Sequence, residues 1–288
     1  MRSHRTVQWP HGAKAAVMIT VDLDAEFFWL SLDPGAVNRP KTLSNGQYGM
    51  KRGLSRVLQV LDDSKIKATF FVPGRIAEVY PQQVQEVAGR GHEIGHHGYA
   101  HENFALLSKE QQMDALRKGI DALQKVCGVR PAGFRAPEGD ITHDTTALLQ
   151  ECGFRYSSTL NGADLPYFLA LDGTPTDIVE LCGTWELTDL PYFAFNFKPA
   201  FPSGQCRIAN YSSVLSIWKD EFDAFYDMGL NYNIKFDPQA IGTPGRIPML
   251  EGLLEYIKSR KDVWFCTGSE MADFWRSTQS MRQASSAR

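Results

Sequence analysis

Short apolar runs alternate along this chain with stretches of helical spacing. Ala15-Ala16-Val17-Met18-Ile19-Thr20-Val21 reads as a fully buried strand ending in acids. Leu54, Val57, Leu58 and Leu61 then recur at helical intervals within 51–61. Ala68-Thr69-Phe70-Phe71-Val72 is a second buried strand, closed by the turn residues Pro73 and Gly74. The same alternation predicts a helix over 84–91 and a short strand over 93–97. It predicts further helices over 109–126, 145–152 and 247–259, and strands at 133–135, near Tyr156 and Val179, and over 230–236 and 263–266. Near-continuous apolar strands separated by helices indicate an α/β fold with a parallel sheet covered by helices. No internal repeat interrupts the pattern. Residues 186–216, rich in aromatics and prolines without clear period, read as an excursion over one mouth of the sheet.

An open doubly wound sheet and a closed barrel both fit this alternation. Asp22, Asp24, His97, Arg135 and Asp237 all fall at or just past the carboxyl ends of predicted strands, where barrel enzymes gather their chemistry. An open sheet also binds ligands at that edge, so the barrel is favoured without being forced. At 288 residues the expectation is one domain over 1–276 with a polar tail over 277–288 that frays.

Composition narrows the classes. A net charge of −3, without a dense run of Lys and Arg, argues against nucleic acid. Cys127, Cys152, Cys182, Cys206 and Cys266 are scattered and odd in number, which argues against a disulfide framework and a thiolate metal site. No stretch approaches the ~20 apolar residues of a membrane span, and the N-terminus lacks the architecture of a signal peptide. The expected setting is the cytoplasm.

Two clusters carry candidate chemistry. Asp22-Leu23-Asp24 places two carboxylates on one side of an extended chain. In a low-dielectric pocket they repel unless a cation neutralises one of them. A helix N-cap is the plainer use of such a pair, and the adjacent Glu26 makes that use less comfortable. The segment from Gly91 to His101 holds four of the seven histidines. His97 and His101 are four apart, as are His92 and His96, a spacing that puts two imidazoles on one face of a helical turn. Single histidines are ordinarily satisfied core or surface groups, but this density beside an acid pair at another strand end favours a metal. Two neutral imidazoles and one carboxylate are the donor set of a catalytic zinc, and of some non-haem iron sites. A bound ion would acidify water and polarise a carbonyl oxygen, leaving the other aspartate to take a proton as general base.

At these residues the chain resembles the polysaccharide deacetylase superfamily, the NodB-homology or carbohydrate esterase 4 fold. Asp22-Leu-Asp24 is similar to the first motif, which implies Asp22 as base and Asp24 as ligand. His97-Gly-Tyr-Ala-His101 resembles the second, the two histidine ligands. Arg135-Ala-Pro137 resembles the third, whose arginine orients the base, and Trp185 the fourth, a wall of the substrate pocket. The resemblance runs in order over about 8–275 and implies a distorted (β/α) barrel with about seven parallel strands. Trp9-Pro10-His11-Gly12 and the stretch from Gly95 to Glu102 resemble an intracellular subgroup that includes a peptidoglycan deacetylase type, cyclic imide hydrolases and metal-free allantoinases. Unlike the allantoinase pattern, all three ligand positions are kept here.

One departure stands out. The fifth motif of the family brings a late histidine that protonates the leaving nitrogen, and here Asp237 stands in its place with no histidine after His143. An ordinary aspartate is ionised at neutral pH and donates no proton. Asp237 then serves only if burial raises its pKa; otherwise the protonated Asp22 delivers the proton, or the leaving group needs little help. The expected function is metal-dependent hydrolysis of a non-peptide carbon–nitrogen bond in a small amide or cyclic imide. Zinc is the expected ion, and Asp22, Arg135 and Asp237 are the catalytic residues. Trp29, Trp185, Tyr192 and Phe193, with Phe27 and Phe28, are the expected pocket aromatics. The alternatives are N-deacetylation of N-acetylglucosamine in peptidoglycan or chitooligosaccharides, and a non-catalytic metal- or ligand-binding protein on this scaffold. A small-molecule or oligosaccharide substrate and further copies of the chain are the expected partners, with neither nucleic acid nor membrane.

Overall fold

The computed structural model describes residues 7–194 and 208–286; residues 195–207 of the expected excursion, with Cys206, lie outside them. Nine strands among the described residues form one sheet: β1 (Ala15–Asp22), β2 (Thr69–Val72), β3 (Glu93–His96), β4 (Gly133–Phe134), β5 (Tyr156–Ser157), β6 (Tyr167–Leu171), β7 (Thr174–Glu180), β8 (Asn231–Phe236) and β9 (Val263–Phe265). Their order is β6-β7-β5-β4-β3-β2-β1-β8, with β9 added on β1. Every ladder is parallel except that of β6 with β7. β8 runs beside Ala16–Val21, whereas β9 takes the start of β1 and β2 its end, so those two strands share the opposite edge.

Every residue of β1 and β2 is buried, which is why both read as unbroken apolar runs. The helix Leu54–Ser64 buries Leu54, Val57, Leu58, Val60 and Leu61 against this core. Each such side chain contributes roughly 1.5–3 kcal/mol on leaving water. That helix continues from a π-helical turn, Gly49–Gly53, inside the stretch expected to start it. A Cβ at Gly53 would fall 2.0 Å from the Pro238 carbonyl oxygen, so only glycine lets the loop after β8 pack this closely.

No backbone ladder closes the sheet between β8 and β7. Instead Asn233 Nδ2 donates to the Leu181 and Cys182 carbonyls just past β7, at 3.2 and 3.0 Å. Thr188 makes an isolated parallel bridge to Lys235. The two ends of the sheet are therefore joined by side-chain hydrogen bonds and this single backbone bridge rather than by a ladder. The hairpin of β6 and β7 was not anticipated; Asp172 and Gly173, both at positive φ, make its two-residue turn. The last helix, Gly268–Ser286, runs on through the polar stretch after Arg276 that reads as a fraying tail.

Candidate metal centre and its cavity

The carboxyl ends of β1, β3, β4 and β8 converge on a cavity of about 420 Å³. Asp22 ends β1, and Asp24 follows in helical φ/ψ as the N-cap of the helix Ala25–Leu32. His97 follows β3 directly, but no helical turn links it to His101. Gly98 and His101 both take left-handed φ, +71° and +61°, and this tight turn swings the second imidazole back beside the first. The ring centroids lie 5.1 Å apart.

Hydrogen bonding fixes which ring nitrogen is free. His97 Nδ1 lies 2.8 Å from the Arg135 carbonyl oxygen, which can only accept, so Nδ1 carries the proton. His101 Nδ1 lies 3.0 Å from Ser31 Oγ, whose own proton goes to the Phe28 carbonyl, so this Nδ1 also donates. In the neutral rings both Nε2 lone pairs then face Asp24, each 3.3 Å from one carboxylate oxygen. Ligand atoms of Asp24, His97 and His101 lie within 4.8 Å of one another, all three residues are buried, and Asp24 Oδ1 accepts no hydrogen bond. Three lone-pair donors converging on one point need a positive centre among them, so these residues fit a divalent cation. Burial alone would depress His101, but the Asp24 carboxylate outweighs it and holds this imidazole above its ordinary value. A proton and a metal thus compete for the same place.

Asp22 sits beside this cluster, 4.0 Å from His97 Nε2 through Oδ2. Its Oδ1 accepts from Arg135 Nη1 at 2.7 Å. Arg135 is locked by further donations to the Ser158 carbonyl, Ser158 Oγ and Thr20 Oγ1, and its guanidinium lies 4.1 Å from the Phe71 ring centroid. Burial pushes the Asp22 carboxyl up, but Arg135, then Lys235 and His97, together hold it below the usual range. The carboxylate is therefore held ionised, the state in which it can accept a proton.

The cavity brings together Asp22, Asp24, His97, His101, Arg135 and Trp185, the last 58% exposed at the rim. It does not reach five other residues expected at the site. Asp237 is buried beyond the cavity wall, its carboxylate taken by Gln239 N and Gln239 Nε2, both at 2.8 Å. Burial, then the charges of Asp24 and Asp189, raise its carboxyl well above the ordinary value. Trp29 is buried, donates to Gln239 Oε1 at 2.7 Å and packs edge-on against Phe28, which is the aromatic of this helix that lines the cavity. Phe193 is buried under Arg246, and Tyr192 OH donates to the Glu186 carbonyl at the surface. Phe27 packs against the core. Among the lining residues that escaped the sequence reading are Asn233 and Lys235, which precede Asp237 at intervals of two.

Behind the loop at 158–161, Glu180 is wholly buried and accepts from Thr159 N at 2.6 Å and Leu160 N at 2.8 Å. Burial nevertheless pushes its carboxyl from 4.5 up to about 6. A carboxyl raised by folding contributes stability in its protonated form, fully present below pH 4.5 and lost as pH rises through 6. The stability difference between Glu180→Gln and the unaltered protein is therefore expected to shift in the variant's favour by up to about 2 kcal/mol from pH 4.5 to 7, at about 1.4 kcal/mol per unit. Chemical denaturation at the two pH values measures it. A difference that does not change with pH would mean that Glu180 ionises as readily in the fold as in the unfolded chain.

A parallel α/β sheet with an acid–histidine cluster over its carboxyl edge is the architecture of NodB-like proteins. The family model for polysaccharide deacetylase matches residues 39–157. A solved structure from Mycobacterium smegmatis assigned to the polysaccharide deacetylases is 36% identical, with a TM-score of 0.88 over 95% of this chain and 94% of its own. The peptidoglycan deacetylase of Helicobacter pylori is 28% identical over 278 residues, 88% of this chain and 93% of that one. The Puue allantoinase, 24% identical with a TM-score of 0.79 over 94% of this chain and 93% of its own, shares the fold. The chain belongs to the polysaccharide deacetylase family. No helix among the described residues is long and apolar enough to cross a membrane.

Proposed function

We propose that this chain hydrolyses a carbon–nitrogen bond other than a peptide bond with the help of a divalent metal, and that its substrate is a small amide or cyclic imide. The observation that carries the reading is the pairing of two carboxylates with different surroundings. Asp24 faces two imidazole lone pairs, whereas Asp22 is flanked by cations and left unligated. Asp24, His97 and His101 would hold the ion, and a two-nitrogen, one-carboxylate set with room for water suits zinc. When bound, such an ion acidifies water and polarises a carbonyl oxygen. Asp22 takes the proton of the attacking water, and Arg135 fixes the carboxylate that receives it. Phe28, Leu32, Leu187 and Leu190 give the cavity apolar walls that limit bulk water around the scissile bond.

A compact cavity favours a small substrate. N-deacetylation of a sugar is the second reading, favoured by the exposed Trp185 at the rim, a surface on which a sugar ring can stack, and by the name of the Helicobacter pylori relative. The test is turnover by zinc-loaded protein of a cyclic imide, a hydantoin and an N-acetylated chitooligosaccharide. Imide cleavage is expected to be the fastest. Sugar deacetylation without imide cleavage would replace the substrate assignment, and no turnover of any of them would leave a metal-binding protein without this chemistry.

A further inference from the structure

Breaking an amide requires two proton movements, and the residues above account for one of them. Water loses a proton to Asp22, but an amine leaves only when its nitrogen has gained one. The late histidine of related motifs is absent, and Asp237, which stands in its place, lies off the cavity with both carboxylate oxygens engaged. The lining residues offer few substitutes. Arg135 is committed through its Nε and both Nη atoms, and a guanidinium does not give up a proton. His97 and His101 hold their protons on Nδ1, pointed away from the cavity into Arg135 O and Ser31 Oγ. Glu138 at the rim accepts from Asn103 Nδ2.

Lys235 remains. It lines the cavity, is 35% exposed along its side chain, and makes no side-chain hydrogen bond among the described residues. Its Nζ lies 3.4 Å from Asp22 Oδ2, the oxygen that also faces His97, while Arg135 occupies Oδ1. The base thus has a fixed cation on one oxygen and a cation with transferable protons on the other. A carbonyl carbon attacked by water beside Asp22 carries its nitrogen within one bond, inside the reach of this four-carbon side chain.

The geometry points to Lys235 as the acid that protonates the leaving nitrogen, a role that rests on the hydrolase reading above. The bond from water oxygen to the carbonyl carbon forms and the carbon–nitrogen bond breaks. The proton of water goes to Asp22, and a proton of the Lys235 ammonium goes to the departing nitrogen. Asp22 then returns its proton to the Lys235 amine across the short gap between them, so both groups end as they began.

The acid matters most where the departing nitrogen is basic. An imide nitrogen leaves as a resonance-stabilised anion, whereas the amine of an N-acetyl sugar does not. The experiment compares kcat and KM of zinc-loaded unaltered protein, Lys235→Ala and Lys235→Arg on a cyclic imide and an N-acetylated chitooligosaccharide, with bound metal measured in each. Both variants are expected to keep their metal and to lose about 10²-fold in kcat on the N-acetyl substrate, with a loss below about tenfold on the imide. Arginine keeps the charge beside Asp22 but cannot deliver the proton, so a Lys235→Arg protein as active as the unaltered one would overturn the assignment in favour of a fixed charge. An equal loss on both substrates carried by KM would overturn it in favour of substrate binding. Unaltered protein that turns over neither substrate would overturn the hydrolase reading itself, and this role with it.

Discussion

Replacing His97 or His101 by alanine is expected to leave the purified protein with almost no bound divalent ion, where the unaltered chain holds about one. Each imidazole is buried and aimed by its own second partner, the Arg135 carbonyl for His97 and Ser31 Oγ for His101. Removing one ring deletes a ligand whose orientation is already set, and leaves two of the three residues that converge as a possible metal cluster among the described residues. His96 cannot substitute, because its two ring nitrogens meet the Leu116 carbonyl and Gly98 N on the far side of the strand. Burial also lowers His96 to about 3, the behaviour of a neutral core group. The loss should reach stability as well as turnover. A ligand present at a hundred times its Kd stabilises the fold by about 2.7 kcal/mol, so added zinc should raise the melting temperature of the unaltered protein and leave both variants unmoved. Elemental analysis and a melting curve with and without zinc decide it. Unchanged metal in both variants would remove the site from these residues.

Much of this site was legible because strand ends are legible. The unbroken apolar run of β1 announces burial on both faces, and the acids that end it can only be at the rim. The same holds for His97 after β3 and Arg135 after β4. What the pattern could not supply was direction. His97 and His101 meet through a left-handed turn, which spacing alone renders as a helical one. Phe28 and Trp29 are neighbours on one helix, about 100° apart around its axis, and only the helix phase decides which faces the cavity. Phe193 and Tyr192 pose the same problem, since a core aromatic and a pocket aromatic have the same composition. Along β8 the two-residue period places Asn233, Lys235 and Asp237 on one side. The chain then turns under Asp189, whose carboxylate accepts from Asp237 N and Ile241 N, and this withdraws Asp237 from the cavity. Lys235 becomes the last residue of that row to reach it. The Asp-Gly turn of the β6–β7 hairpin was a readable signal, but only two of the flanking positions of β6 are well buried or exposed enough to alternate.

Asp22→Asn and Asp24→Asn should separate the two acids by metal content rather than by activity, which both lose. In Asp22→Asn the amide oxygen can keep the place of Oδ1 and go on accepting from Arg135, so the arginine stays aligned. The amide nitrogen then replaces Oδ2, where it has no lone pair for a proton and presents hydrogens towards Lys235 and His97. On the proposed assignment this removes the base while leaving the three ligands untouched. The rate should fall ~10²–10⁴-fold, the usual worth of a general base, with about one ion still bound. The variant also takes from buried Arg135 the carboxylate it pairs with directly, and breaking such a pair costs of the order of 3–5 kcal/mol. Its folding therefore has to be checked by circular dichroism before the rate is read. Asp24→Asn differs at the centre itself. Both Asp24 oxygens face an imidazole Nε2 at 3.3 Å, so an amide there loses the charge that balances the cation and turns one hydrogen-bearing nitrogen towards a lone pair. That variant should lose its metal along with its turnover. If Asp22→Asn emptied the site and Asp24→Asn kept the ion, the two roles would be exchanged, and Arg135 would have to be understood as the partner of a ligand rather than of a base.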